Sequence, residues 1–466
     1  MTARGGRGLV PLLAFLGVMA YSLAMGVMTP ALPLLQRSMD TTAAGAVWTL
    51  TAMTLSAAVC TPVAGRLGDL YGPRRVLLAV LVVAVAGMVV AASASSLGVM
   101  LAGRALSGVG GGVFPLAYTI IREVYPPERT ASAVGLMSSM LGLGGAVSWV
   151  LAGPVIDHLG WRWLLWFPVA GLVPGIVAAW WIVPATRGTR DARIDWWGSL
   201  LFAGWLVALL TALTQGMEWG WASPGVLALV AGGVAVLGVW LVVERRVAEP
   251  LVDLRLMRRR GVWTANLGSL LSGYALMAGG LLFPLMVQLP EEDGFGFGGT
   301  ATEAALLQLP ASAAMAVAGM TAGLLDRRVG TRAVLFAGAL LTGAGYGYVA
   351  LQHDHMWQLY AGGVARGVGL GLAYAAVANL VVHSVEVSRT GVATGVNTLI
   401  RNAGNSVGAQ ASAVLVAVAA TAEGGYTLGF AVSAAAMVAV MALALIAPGR
   451  RRGARRPPVE RHASTV

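Results

Sequence analysis

Charge and glycine concentrate in one short stretch, GRLGDLYGPRRV at residues 65–76, which lies between two long apolar runs. Its glycines permit a bend that is too tight for bulky residues. Asp69 can pair with arginines there or face the N terminus of a neighbouring helix. The stretch predicts a charged latch that holds one side of the molecule shut in one state and breaks in another. Its members are Gly65, Asp69, Gly72, Arg74 and Arg75. An ordinary basic loop would explain the two arginines but not Asp69.

Other polar residues fall inside apolar runs, where an ionised group costs at least ~2.5 kcal/mol to insert into a bilayer and is usually functional. Arg401 lies about ten residues, or ~15 Å, from its helix end, and hence near mid-membrane. The candidates for a translocation path are Arg104, Arg366, Asn397, Arg401 and Asn405. The alternatives are a structural hydrogen-bonding role for the arginines and helix-joining by the asparagines.

A glycine pattern follows Arg104 on the same run. Gly108, Gly111 and Gly112 share a helix face with the arginine, which predicts close helix packing beside a buried charge.

Carboxylates are almost confined to the ends of the apolar runs. Glu303, Glu218 and Asp157 are weak proton-carrier candidates, and each can equally be an exposed interfacial carboxylate. Asp157 has Arg162 nearby as an ion-pair partner. No nucleotide loop, no Ser/His/Asp arrangement and no metal-ligand spacing occurs in the sequence, so an enzyme, a resident metal and a cofactor are not expected.

Composition indicates a membrane protein. The chain has 466 residues, of which 57% are hydrophobic and 11% charged, whereas soluble domains have about 25% charged residues. Breaks at Pro, Gly and charges divide it into about fourteen runs, each long enough to cross a bilayer as a helix. The expected starts are near residues 9, 43, 76, 98, 131, 164, 197, 224, 262, 301, 333, 357, 391 and 425.

Loop charges predict the orientation. Arginines are concentrated in alternate loops, including Arg74, Arg122 and Arg327, so a multi-pass protein of the cell (plasma) membrane is expected, with these loops and both termini in the cytoplasm. The formal charge of +11 therefore reflects membrane topology, and no nucleic-acid partner is expected.

Two features recur along the chain. GRLGDLYGPRR at 65–75 is echoed by GLLDRRVGTR at 323–332, and the run bearing Arg104 is echoed by the run bearing Arg366. Such repeats predict two similar helical bundles with a site between them. The expected parts are a six-helix bundle (1–186), two linking helices with a basic loop (187–260), a second six-helix bundle (261–448) and a basic tail (449–466).

The stretch at 65–75 resembles the loop signature G-x-L-x-D-x-x-G-x-R-[RK] of the major facilitator superfamily. LAGRALSGVGGG at 101–112 resembles a second family motif, with Ser107 where glutamine is usual. IDHLGWRWLLW at 156–166 and RIDWWGSLLFAGWL from residue 193 resemble segments of the fourteen-helix drug:proton antiporter branch. The resemblance implies an all-α fold of two pseudo-symmetric six-helix bundles plus two central helices.

Two departures from that pattern affect the expected proton coupling. The branch has an aspartate in its first helix at the position of Ala24, and no acidic residue occurs before Gln36. Ser148-Trp149 stand where exporters usually have a glycine-proline pair.

The resemblance implies proton-driven export of hydrophobic small molecules, as in multidrug or antibiotic resistance, by alternating access. Buried arginines and asparagines with few acids favour neutral or anionic substrates. Three alternatives stay open: a uniporter, an importer of a small metabolite, and a non-transporting membrane sensor. Substrate identity, direction, coupling ion and oligomeric state do not follow from the sequence.

Overall fold

Most of the chain forms helices. The computed structural model describes residues 10–26, 28, 31–41, 43–183, 195–247, 252, 254–290, 295–418 and 421–448, and this part contains no β-strand. The helices are α1 Val10–Gly26, α2 Leu32–Ser38, α3 Ala43–Tyr71, α4 Pro73–Ala92, α5 Leu97–Gly108, α6 Val113–Val124, α7 Pro127–Leu159, α8 Trp163–Ile182, α9 Trp196–Trp219, α10 Pro224–Arg246, α11 Leu254–Met257, α12 Arg260–Gln288, α13 Ala301–Val329, α14 Thr331–Leu351, α15 Met356–Ser384, α16 Thr390–Val418 and α17 Ala422–Ile446.

Every start expected from the sequence lies within about four residues of an observed helix start. Within the described residues, ten helical segments are long and apolar enough to cross a membrane, counting α5 and α6 as one. Four further helices, α1, α7, α9 and α16, have 17, 33, 24 and 29 residues but are not among those ten. The all-α fold is confirmed, and the total of fourteen spans stays a prediction.

The same turn joins α3 to α4 and α13 to α14. Gly72 has φ 92° and Gly330 has φ 88°, a backbone region that L side chains rarely adopt. Pro73 then begins α4 and Thr331 begins α14. The repeated sequence therefore forms a repeated turn. We call the end of the molecule that carries these two turns the motif end.

The shared-face prediction assumed one continuous α-helix in the run that carries Arg104. The structure shows that this run is interrupted. A short 3-10 turn, Val109–Gly112, separates α5 from α6. Three consecutive glycines have low helix propensity, which favours a local change of helix type there. Gly108, Gly111 and Gly112 nevertheless all pack closely against α3.

Buried apolar residues form one large cluster among α12–α17, which we call the C-terminal group. A second cluster belongs to α1–α8, the N-terminal group, and it also takes in Ala378 and Val382 from α15. Helices α9 and α10, the linking pair, bury apolar side chains against both α3 and α16. The predicted domain boundaries themselves stay predictions.

The two groups meet through two crossings near the motif end. At the first, a side chain on Gly65 of α3 would collide with the backbone of Gly391 in α16. At the second, a side chain on Gly323 of α13 would collide with the backbone of Ser132 in α7. Corresponding helices of the repeats thus cross in corresponding ways, and both crossings need a residue without a side chain.

Candidate functional site

Asp69 connects the two groups at the motif end. Its carboxylate is buried, and its two oxygens accept hydrogen bonds from the backbone N–H groups of Gly391 and Val392, each at 3.2 Å. These N–H groups lie in the first turn of α16, where backbone donors have no partner within the helix and the helix dipole favours a negative charge. The structure places a helix N terminus against Asp69, and the positive charge of Arg66 also acts on its carboxylate.

Arg122 holds the neighbouring segment of the C-terminal group. This residue in the last turn of α6 donates to the carbonyl oxygens of Val385 at 2.6 Å and Glu386 at 3.2 Å. It also donates to the hydroxyl of Thr390 at 2.6 Å. The sequence indicated Arg122 only as a topology signal, because its acceptors are mostly backbone atoms more than 260 residues away.

The other predicted latch residues act within the N-terminal group. Arg74 donates to the carbonyl oxygen of Trp180 and lies over its ring, with 5.9 Å from Cζ to the ring centroid. Arg75 is exposed, and Gly72 makes the turn. Of the predicted latch residues, Asp69 and Gly65 contact the C-terminal group, whereas Arg74 fastens the turn to α8.

The repeat of Asp69 is placed differently. Asp326 lies four residues before Gly330, and it accepts a hydrogen bond at 2.5 Å from Thr331 within its own turn. Asp69 lies three residues before Gly72 and reaches the opposite group. The one-residue offset changes which face of the helix carries the carboxylate.

Arg104 is completely buried and joins three helices. Its Nε donates to the carbonyl oxygen of Thr49 at 3.0 Å, and one terminal nitrogen donates to that of Ala24 at 3.4 Å. The other terminal nitrogen has no hydrogen-bond partner. At the position where the family resemblance implies an aspartate side chain, the backbone of α1 is therefore the acceptor.

Arg366 lies in the corresponding position of the C-terminal group. It donates to Gln308 of α13 at 2.9 Å and lies 5.1 Å from the ring centroid of Phe283 in α12. Gln308 in turn donates to the carbonyl oxygen of Gly279 at 3.3 Å. Arg366 thus joins α12, α13 and α15, as Arg104 joins α1, α3 and α5.

Asn397 joins α16 to α12. Its amide nitrogen donates to Asn266 at 2.9 Å, and its amide oxygen accepts from Ser269 at 2.9 Å. These contacts correspond to the helix-joining alternative for this residue. Asn405, two turns further on, has a buried side-chain oxygen without a partner beside Gly273.

We expect Asn397→Ala to lower the free energy of unfolding by about 1–3 kcal/mol, because it leaves the buried groups of Asn266 and Ser269 unpaired. Thermal unfolding of the purified protein in one detergent measures the effect. Asn402→Ala is the matched control, since the half-exposed Asn402 lies on the same helix away from this pair. An equal loss in both variants would contradict the role of Asn397.

Arg401 lies between aromatic rings of the two groups. Its Cζ atom is 5.7 Å from the ring centroid of Phe114 in α6 and 5.3 Å from that of Tyr374 in α15. Sequence reasoning missed both rings, because aromatic residues in apolar helices resemble ordinary core. Counting residues from the helix ends would have placed them at the level of Arg401.

The predicted proton carriers have different positions. Glu303 is exposed and completes a capping box with Thr300 at the start of α13, which accounts for a carboxylate there. The side chains of Glu218 and Asp157 lie outside the described residues, and so does that of Trp149. Arg162 donates to the carbonyl oxygen of Ala94 at 3.1 Å.

Among the described residues, no group of three or more His, Cys, Asp or Glu side chains is suited to a metal ion. His353 lies 3.5 Å from Glu423 and contacts the carbonyl oxygen of Val349, so its surroundings are accounted for by local packing.

Comparison with known proteins gives the family of the chain. The sequence model of the Major Facilitator Superfamily matches residues 14–409 and 265–465. The chain belongs to the Major Facilitator Superfamily. With ten apolar helices in the described residues, it is a multi-pass membrane protein of that family.

Two relatives have names that state an export role. The cephamycin export protein of Amycolatopsis lactamdurans is 29% identical over 94% of this chain and 92% of its own length. The tetracenomycin C resistance and export protein of Streptomyces glaucescens is 27% identical over 86% of this chain and 74% of its own. The chain spans 57% of the length of two uncharacterised transporters of Mycobacterium tuberculosis that are 29% identical to it.

A solved structure of a human organic anion transporter has the same fold. Its TM-score is 0.69 over 94% of this chain and 99% of that one, at 15% sequence identity. At this identity the likeness concerns the fold alone.

Proposed function

We propose that the protein is a secondary transporter of the fourteen-helix drug:proton antiporter branch, which exports hydrophobic small molecules across the plasma membrane. The observation that carries the proposal is the contact of Asp69 and Arg122 with residues 385–392, because it joins the two groups by polar bonds at the motif end. Hydrogen bonds between the groups can be replaced by bonds to water when the groups move apart.

The proposed mechanism is alternating access between the bundles 1–186 and 261–448, with 187–260 as the linking part. The described crossings at Gly65 and Gly323 support a state that is closed at the motif end. We assign the motif end and both chain termini to the cytoplasm, on the arginine content of its loops. The state described here is then the one that faces outward.

The export direction is supported by the names of the relatives, which include exporters of cephamycin and tetracenomycin C. A preference for neutral or anionic substrates is supported by Arg104, Arg366 and Arg401, which are all buried. A cationic substrate would meet repulsion from such groups.

Transport into proteoliposomes with an imposed proton gradient tests this function. We expect a neutral or acidic antibiotic to move against its gradient at a rate that rises at least fivefold with the gradient, whereas a dye cation moves more slowly. Preferential transport of the cation would overturn the substrate preference.

A uniporter or an importer of a metabolite is the second candidate. In the described part of the chain, the three buried arginines contact backbone carbonyls, Gln308 and aromatic rings. None of these contacts is with a carboxylate that could carry a proton, which favours this candidate. A transport rate that is independent of the imposed proton gradient would support this candidate over antiport.

A further inference from the structure

Arg401, Phe114 and Tyr374 lie at one level in the membrane, although they come from three different helices. Phe114 lies ten residues before the end of α6, Tyr374 ten residues before the end of α15, and Arg401 eleven residues after the start of α16. At 1.5 Å per residue these positions are all about 15 Å from the motif end, which is half the thickness of the hydrocarbon core. Arg401 is thus near the middle of the helix lengths, at a level where the two groups meet.

The guanidinium of Arg401 is not satisfied by the protein. Within the described residues it makes no hydrogen bond and no ion pair, and its Nε is buried without a partner. The side chain is 7% exposed, so more than nine-tenths of it is enclosed. Arg104 and Arg366 also have buried guanidinium nitrogens without partners, but each of these two arginines donates to at least one oxygen atom of a neighbouring helix.

A second polar group with no partner lies beside it. The hydroxyl of Tyr374 is buried and makes no hydrogen bond, although a buried phenol normally finds one. Arginine stays protonated in proteins, so the charge at this place is permanent. The buried Nε of the guanidinium and the buried hydroxyl both lack partners among the described residues, and a group with oxygen acceptors and a negative charge suits both.

We propose that Arg401 and Tyr374 form a subsite for the carboxylate of an organic anion with a flat apolar body. The proposal rests on the function proposed above and names the substrate class of the central site. A planar carboxylate can accept two parallel hydrogen bonds from a guanidinium, and the neutralised pair removes the cost of the isolated charge. The apolar body lies against Phe114, whose ring is buried in the N-terminal group.

The residues of the subsite come from both groups, so the subsite can open to either side of the membrane as the groups move. Arg401 and Tyr374 belong to the C-terminal group and keep the carboxylate, whereas Phe114 belongs to the N-terminal group and separates from them when the groups rock apart. The anion is thus bound by one group throughout, and the ring of the other group covers or uncovers it.

Binding of dansylglycine and dansylglycinamide to the purified full chain in lipid nanodiscs tests the proposal. The two fluorescent probes differ only in a carboxylate against an amide. We expect the wild type to bind the acid at least tenfold more tightly than the amide, a ratio that corresponds to about 1.4 kcal/mol. Equal affinities, or no measurable binding of the acid, would overturn the subsite.

Variants assign the preference to its residues. Arg401→Gln is expected to reduce the acid-to-amide ratio to about one, whereas Arg401→Lys keeps at least a threefold preference because it keeps the charge. Tyr374→Phe is expected to lower the affinity for the acid severalfold and to leave the amide unchanged. Arg332→Gln is the matched control, since it removes an exposed arginine at the start of α14 and is expected to leave the ratio unchanged.

The outcomes separate this subsite from the transport function. A retained acid preference in Arg401→Gln would overturn the subsite even if the wild type exports other compounds. A wild type that prefers the acid through Arg401 but transports nothing in proteoliposomes would keep the subsite and overturn the proposed function.

Discussion

Asp69→Asn is expected to open the motif end. The amide keeps one oxygen for Gly391 but turns an N–H donor towards the N–H of Val392, and the helix N terminus loses its negative partner. Hydrogen bonds to charged groups contribute about 1.5–3 kcal/mol, so the ratio of closed to open molecules should fall by roughly 10- to 150-fold.

Labelling of a buried cysteine measures this change. Ala378→Cys, placed in a Cys60→Ser background, is 5% exposed and packs in the cluster of the N-terminal group. A membrane-impermeant maleimide applied from the motif side should label it at least tenfold faster in Asp69→Asn. Asp326→Asn is the matched control, because its bond to Thr331 stays within one turn. Equal acceleration in both variants would show that Asp69 does not hold the groups together.

Gly65→Ala is expected to have the second large effect, by preventing closure rather than by removing a bond. The added methyl group would meet the backbone of Gly391, which cannot rotate out of the way as a side chain can. Overpacking of this kind costs about 1–3 kcal/mol and falls on the closed state alone, since α3 and α16 are parts of different groups. The transport rate should fall at least tenfold, with unchanged helical content.

Two further substitutions decide whether the crossing is the cause. Gly323→Ala should have a similar effect, because its methyl group would meet the backbone of Ser132 at the second crossing. Gly98→Ala has open space around the same position and should leave transport unchanged. If Gly98→Ala reduced transport as much as Gly65→Ala, a general effect of glycine replacement would be the explanation.

The helix positions could be predicted because each rests on a local signal, namely a long apolar run with Gly, Pro or charge at its ends. The turn of Gly72 could be predicted for the same reason. The partner of Asp69 could not, since Gly391 is 322 residues away and offers only a backbone N–H. The acceptors of Arg104 are likewise carbonyl groups, which every residue has.

The polar residues of α16 show what spacing along one helix leaves undetermined. Asn397, Arg401 and Asn405 recur every four residues, yet Asn397 contacts α12 and Arg401 contacts α6 and α15. Spacing on one helix gives the direction of each side chain but not the neighbour that occupies it. Only the packed helices distinguish a joining residue from an unsatisfied one.

The linking pair gives the molecule two unequal flanks. Phe202, Leu206 and Trp240 pack over the line where α3 meets α16. Only 17% of the most apolar segment of α10 is buried inside the protein, so the rest of this helix faces lipid. The described residues of the linking pair pack with residues of α3 and α16, at the first crossing. The second crossing, where α7 meets α13, lies elsewhere. A hydrophobic molecule that diffuses sideways from the bilayer is therefore obstructed by the linking pair where α3 meets α16, and the opposite flank has no such cover from that pair.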